Sequence, residues 1–219
     1  MKKTDSFSTV LNLVMIVAIL SYPESLSEFK SLNLENNQKI LQICCTWGKS
    51  LNDSVLTFYI NNTNQQSEKL VTNSFDQWNS KLKSVKFTQV RDASKADIMI
   101  IFDHKGEETV GQTTSVLDEN GFIKMVKMRI SVNFNEELIN DDTLSLVLKH
   151  EIGHALGLGH SNFDDLMNPI VNYQSKIITA CEIDAVELAN SWKIAQNLQE
   201  PKLPKLPIEK TVDCNSDET

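Results

Sequence analysis

A chain of 219 residues, 41% hydrophobic and 23% charged, has the make-up of a globular protein with one sizeable core and terminal extensions. Its 29 acidic and 21 basic residues give a formal net charge of −8. With no Lys/Arg cluster longer than a pair, that balance argues against nucleic acid as a partner.

Lys2 and Lys3 precede a mostly apolar run from Val10 to Leu20, and Ser21, Pro23, Ser25 and Ser27 follow. This order matches the charged, apolar and cleavable parts of a secretory signal peptide within residues 1–27. Spanning a bilayer takes about 20 apolar residues. The stretch from Phe7 to Tyr22 comes close, so an uncleaved N-terminal membrane anchor is the alternative. Either way the protein is expected to be secreted or extracellular, touching a membrane only through this segment. Four cysteines, Cys44, Cys45, Cys181 and Cys214, suit an exported chain with up to two disulfides. Adjacent cysteines rarely bridge each other. Two long-range bridges, from Cys44 and Cys45 to Cys181 and Cys214, are therefore expected, with buried free thiols as the alternative.

Residues 28–44 are polar and Asn-rich, and read as a linker or a short pro-segment. Val55 to Ile60 is β-branched and aromatic, the composition of a strand. Sequons for glycosylation occur at Asn52 and Asn61, a pattern short enough to arise by chance. Leu70, Val71, Phe75, Trp78 and Leu82 recur at helical spacing and predict an amphipathic helix from Ser67 to Lys81. Lys86 to Val90 predicts a short strand, and the apolar run Ala96 to Phe102 a buried central one. Gly111–Leu117 and Phe122–Phe134 predict two more, joined through the Asn-Gly turn of Asp118–Gly121. His104, with no second histidine nearby, reads as a loop residue.

The pattern then turns helical. Asp142 or Thr143 can cap a helix whose apolar face holds Leu144, Leu146, Val147, Ile152 and Ala155, and Gly157 can end it. A last helix is predicted from Glu182 to Asn197, with Ile183, Val186, Leu188 and Trp192 as its buried side. The tail, 200–219, repeats Pro-Lys-Leu and is expected to be extended and flexible. Strand and helix order together imply an α+β fold.

The chemistry concentrates in His150-Glu151-Ile152-Gly153-His154-Ala155-Leu156-Gly157-Leu158-Gly159-His160, which fits the zinc signature H-E-x-x-H-x-x-G-x-x-H. On a helix, His150 and His154 lie one turn apart on one face, so both imidazoles reach the same ion. Gly157 breaks the helix, and His160 is expected to supply a third nitrogen from a loop. Three protein ligands leave a fourth position for water, which marks a catalytic rather than a structural site. Glu151 is placed to take that water's proton as general base and return it to the leaving amine.

At this point the sequence resembles the matrixins, the matrix-metalloprotease-like branch of the metzincin zinc endopeptidases. Ser161 after the third histidine and Leu166-Met167-Asn168-Pro169 are similar to that family's motifs. So are Trp47-Gly48-Lys49, Leu56 to Ile60, Ser74 to Trp78 with Phe87-Thr88, and Ala96 to Ile100. The resemblance covers about residues 45–195 and implies a peptidase domain at 45–199. It implies a zincin-like catalytic domain with a twisted five-stranded mixed sheet, an active-site helix, a small lower part after Gly157 and a C-terminal helix. Met167 would be the Met-turn methionine, and Pro169 and Tyr173 part of the S1′ pocket wall. The strand near Gly111–Leu117 would be the edge that binds substrate by β-augmentation.

The sequence also departs from the family. Vertebrate members carry a loop of histidines and aspartates for structural zinc and calcium, where this chain has the Asp118–Gly121 turn. One catalytic zinc is therefore expected and no structural zinc, with calcium undecided; the Pro-Arg-Cys-Gly pro-segment motif is absent. The resemblance also implies that Cys181 pairs with Cys44 or Cys45. The resulting expectation is an exported, monomeric zinc endopeptidase acting on protein or peptide substrates. The alternative is an exported zinc-binding surface module without peptidase activity.

Overall fold

The computed structural model describes residues 15–18, 38–61, 63–103, 109–134, 137–170, 177–191 and 210–214. His104, Tyr173, Trp192 and the Pro-Lys-Leu repeat lie outside these residues. In chain order the described strands are β1 (Met15–Ala18), β2 (Ile40–Ile43), β3 (Val55–Asn61), β4 (Lys86–Gln89), β5 (Ile98–Asp103), β6 (Thr109–Leu117) and β7 (Ile123–Ser131). There follow the short pair β8 (Asn133–Phe134) and β9 (Glu137–Leu138), then β10 (Leu158–Ser161) and β11 (Lys210–Asp213). The α-helices are α1 (Gln65–Lys81), α2 (Asp141–Ala155) and α3 (Ala180–Ala189).

The five expected strands form one mixed sheet in the order β6-β7-β5-β3-β4, and β1 adds a sixth along the outer edge of β6. β3, β4, β5 and β7 run parallel, whereas β6 is antiparallel to β7 and β1 antiparallel to β6. Burial alternates along β5: Ile98, Ile100 and Phe102 face the core, while Met99 and Ile101 are half-buried. The apolar run suggested a strand covered on both faces; here one face is fully packed and the other is partly open. Phe58 of β3 stacks on Phe75 of α1 at 4.0 Å between ring centroids, and Phe87 of β4 meets the same ring edge-on at 4.8 Å.

Helix α1 begins two residues earlier than its apolar spacing indicates. The Asn64 side chain accepts from the Ser67 N–H at 2.9 Å and caps the first turn. Its Trp78 is wholly buried and donates from Nε1 to the Lys149 carbonyl of α2 at 3.1 Å, tying the two helices together. Helix α2 is capped by Asn140 rather than Asp142 or Thr143. Asn140 accepts from the Thr143 N–H at 2.9 Å, which leaves Asp141 and Asp142 in the first turn, where the helix dipole favours negative charge. From Leu146 to Ala155 every residue of α2 is buried, a far wider buried surface than one apolar stripe.

Below the sheet, β10 pairs antiparallel with β2, and β11 pairs with the other edge of β2. Leu41 and Ile43 of β2 are core residues, so the packed domain begins upstream of residue 45. The tail is not uniformly extended and free, because residues 210–213 are a sheet strand and Cys214 is 4% exposed. β11 brings Cys214 beside the start of α3, where it pairs with Cys181 at a Cα separation of 5.5 Å. This replaces the expected bridges from Cys44 and Cys45 to Cys181 and Cys214; the sulfurs of Cys44 and Cys45 are paired with one another. Helix α3 starts at Ala180 rather than Glu182, with Thr179 and Glu182 forming a capping box. It ends at Ala189, so the expected extension does not continue through Asn190. Leu188 faces outward at 41% exposure, and Ala185, Val186 and Ala189 form the packed side instead.

The joint between α2 and β10 is Gly157, at φ +96°. Its carbonyl accepts from Cys44 N–H at 2.9 Å, and a Cβ at this position would lie 2.2 Å from the Cys45 carbonyl oxygen. Gly157→Ala therefore meets both a left-handed backbone penalty and a clash with main chain that cannot swing aside. A loss on the order of 2–4 kcal/mol in chemical unfolding is expected.

Candidate metal centre

His150 and His154 project from one face of α2, and His160 comes from β10 rather than from a loop. Their candidate ligand atoms all lie within 4.8 Å of one another, and among the described residues no cysteine or carboxylate joins the group. His150 and His154 are 1% and 2% exposed. His150 donates from Nδ1–H to the Leu166 carbonyl at 2.6 Å, and His154 from Nδ1–H to the Leu158 carbonyl at 2.9 Å. A carbonyl can only accept, so each bond fixes the proton on Nδ1 and leaves a lone pair on Nε2. The Nε2 atoms of all three histidines are buried without a hydrogen-bond partner.

Burial holds the imidazoles neutral, which is the ligand form. Desolvation lowers His150 to about 4 and His160 to about 3, the latter helped by the neighbouring His150. His154 is lowered well below the usual histidine range, first by burial and then by its two ring neighbours. Three neutral, converging imidazole nitrogens, each an orphan inside the protein, are the donor set of a zinc site with an open position. The residues fit the ion.

Glu151 lies between the first two histidines in sequence, fully buried, with Oε1 unpartnered. Its Oε2 accepts from the Thr113 hydroxyl of β6 at 2.5 Å. Burial raises the carboxyl to about 8, opposed by the Thr113 hydrogen bond. Met167, 0% exposed, lies against α2 where a Cβ on Gly153 would meet its sulfur at 2.4 Å. It directly follows Leu166, whose carbonyl is the partner of the His150 side chain. Pro169 is half-buried at the end of this turn.

The turn itself is held from behind. The Glu182 carboxylate of α3 accepts from the Leu166 N–H at 3.1 Å and from the Thr179 N–H at 2.6 Å. Leu166 thereby links Glu182 through its N–H to His150 through its carbonyl, an outer-shell support for the first ligand. Asp165 bonds the Ser161 hydroxyl, and its Oδ2 is buried and unpartnered. Sequence reasoning passed over Thr113, Asp165 and Glu182. Thr179-x-x-Glu182 carries a capping-box signature that could have flagged the last of them; nothing local marks Thr113.

A mixed sheet over a helix bearing two zinc-type histidines, with a glycine-turned third histidine, defines a metzincin-type metallopeptidase domain. The family profile described as Matrixin matches residues 46–188, and the chain belongs to the matrixin family. It is 36% identical over 124 residues to Metalloendoproteinase 4-MMP of Arabidopsis thaliana, covering 52% of this chain and 36% of that protein. The chain thus spans about a third of that relative's length. Among solved structures, one of myroilysin is similar at TM-score 0.46 and 12% identity, covering 67% of this chain and 97% of that one. High choriolytic enzyme 1, a hatching enzyme zinc-protease from Oryzias latipes, is similar at TM-score 0.34 and 18% identity, covering 65% of this chain and 54% of that one.

Burial and the nearby Glu182 carboxylate push Asp165 up to about 7. An acid whose folded pKa lies above its unfolded value stabilises the fold only while it stays protonated in both states. That contribution is lost as pH rises, because the unfolded chain ionises first. Asp165→Asn is therefore expected to gain stability relative to the parent between about pH 4 and 7, read from urea unfolding at matched pH. A pH-independent difference would contradict the raised pKa.

Proposed function

We propose that this chain is a zinc-dependent endopeptidase that hydrolyses peptide bonds of extracellular or cell-surface proteins, with Glu151 as general base. The observation that carries the reading is the convergence of three buried, unpartnered Nε2 atoms beside a buried glutamate with one unpartnered oxygen. Held by His150, His154 and His160, zinc supplies a Lewis acid that polarises the scissile carbonyl and acidifies a water.

The chain's own groups do the rest. Glu151 accepts the proton of the attacking water through Oε1 and delivers it to the leaving amine as the C–N bond breaks. Its burial excludes competing bulk water from the oxygen that takes and returns the proton. The outer edge of β6 aligns the substrate main chain by strand addition. In support, that edge takes residues 15–18 of this chain antiparallel, with Met15 opposite Thr113 and Ile16 opposite Gln112. Pro169 lines the S1′ side of the cleft, and Met167 forms the floor beneath the histidines.

Export follows from the N-terminal segment and suits the cysteine pairs. Removal of the leader vacates the edge of β6 for substrate. The enzyme then acts as a monomer with one catalytic zinc.

Glu151→Ala is expected to keep stoichiometric zinc while peptide-library cleavage falls about 10²–10⁴-fold. Chelation should abolish cleavage of the parent, and added zinc should restore it. A parent protein that holds zinc and cleaves no member of the library would favour a surface zinc-binding module instead.

A further inference from the structure

We infer that Thr113 and Gly111 of β6 are positioning residues for Glu151, holding one carboxylate oxygen so that the other is presented to the reacting water. This rests on the reading of Glu151 as general base and goes beyond it by assigning what aims that base.

Along β6 the inward positions are Gly111, Thr113 and Ser115, all buried, while Gln112, Thr114 and Val116 are half-buried on the opposite face. Thr113, 3% exposed, directs its hydroxyl to Glu151 Oε2 at 2.5 Å, with the Glu151 carbonyl a more distant second acceptor at 3.3 Å. A hydroxyl has a single proton, so the shorter bond to the carboxylate takes it. Glu151 Oε1 is left buried and uncommitted.

Gly111 explains how Oε1 has room. A Cβ there would lie 2.5 Å from Oε1, 2.9 Å from the Glu151 carboxyl carbon and 2.7 Å from Val147 Cγ1. Any side chain at 111 would occupy the space of the reactive oxygen or force the strand away from α2. One strand thus clamps Oε2 with a hydroxyl and clears Oε1 by omitting a side chain, two residues apart on the same face.

The same strand offers its outer edge to an extended partner, and Thr113 is itself a paired position there, opposite Met15. A substrate laid on that edge and the base that serves it are therefore fixed to one residue. This arrangement sets the carboxylate against the scissile bond without relying on contacts elsewhere in the cleft.

A purely structural role for Thr113, satisfying a buried carboxylate, predicts loss of stability without a selective effect on turnover. The test compares the zinc-loaded parent with Thr113→Val, Thr113→Ser, Gly111→Ala, Glu151→Gln and the Thr113→Val/Glu151→Gln double variant, reading zinc content, kcat and KM on one peptide. Thr113→Val should lower kcat roughly 10–100-fold with zinc retained and KM within about twofold. Thr113→Ser should stay within about threefold of the parent kcat, because the hydroxyl is kept. In the Glu151→Gln background, Thr113→Val should cost nothing further. Should the valine variant lose zinc, the serine rescue and the kcat of Gly111→Ala decide alone. Parent-like kcat in Thr113→Val or in Gly111→Ala would overturn the inference. So would a serine variant as slow as valine, or an undiminished valine effect without Glu151. A parent-like rate in Glu151→Gln defeats the general-base reading itself. An inactive Glu151→Gln beside a fully active Thr113→Val defeats only the positioning role.

Discussion

Two main-chain carbonyls govern this protein. Leu166 and Leu158 each accept the Nδ1–H of a ligand histidine, and so decide which nitrogen faces the ion. An imidazole left to itself can carry its proton on either nitrogen and rotate about two bonds. Here the two carbonyls set the proton, the rotation and the lone pair. Much of the lower half of the molecule serves to put those two carbonyls in place. Leu158 is reached because Gly157 turns the chain in a conformation other residues avoid, and β10 then pairs with β2. Leu166 is reached because the segment carrying Met167 packs against Gly153 of α2, and the Glu182 carboxylate fixes its N–H.

Burial gives this geometry its electrical character. Three imidazoles withdrawn from water stay neutral, each with an unpartnered nitrogen that is costly unless a cation uses it. Binding of an ion offsets that cost, which couples metal affinity to folding. The same burial lifts Glu151, and an adjacent divalent charge would act in the opposite direction. The hydroxyl partner of Glu151 on β6 joins the site to the sheet, so the strand that orders the fold's upper half also reaches the chemistry.

Legibility in the sequence followed the range of the interactions concerned. The i, i+4 histidines, the following glycine and the third histidine are local, and the structure brings them together as read. The five strands and the three helices were also visible, though not the bounds of each, since alternation and helical spacing are local signals. Pairings between distant segments were not. β2 and β11 are four-residue strands whose partnership joins Ile40–Ile43 to Lys210–Asp213, and nothing in either segment announces the other. The Cys181–Cys214 pairing depends on that same docking, which is why cysteine spacing pointed elsewhere. Asn140, Asp142 and Thr143 are all good caps within four residues, so tertiary position chose among them. Thr113 is an ordinary strand threonine until β6 is laid across α2. Leu188 reads as apolar and hence inward, but the packed side of the last helix is set by its tertiary neighbours and runs through Ala185, Val186 and Ala189 instead.

The most direct measurement is the protonation pattern of the ring nitrogens in zinc-free protein at neutral pH, by long-range ¹H–¹⁵N NMR of labelled histidine. A fold that presets its ligands requires His150 and His154 to be neutral, with the proton fixed on Nδ1 and a free lone pair on Nε2. Protons found on Nε2, or signals averaged between the two nitrogens, would contradict that preorganisation.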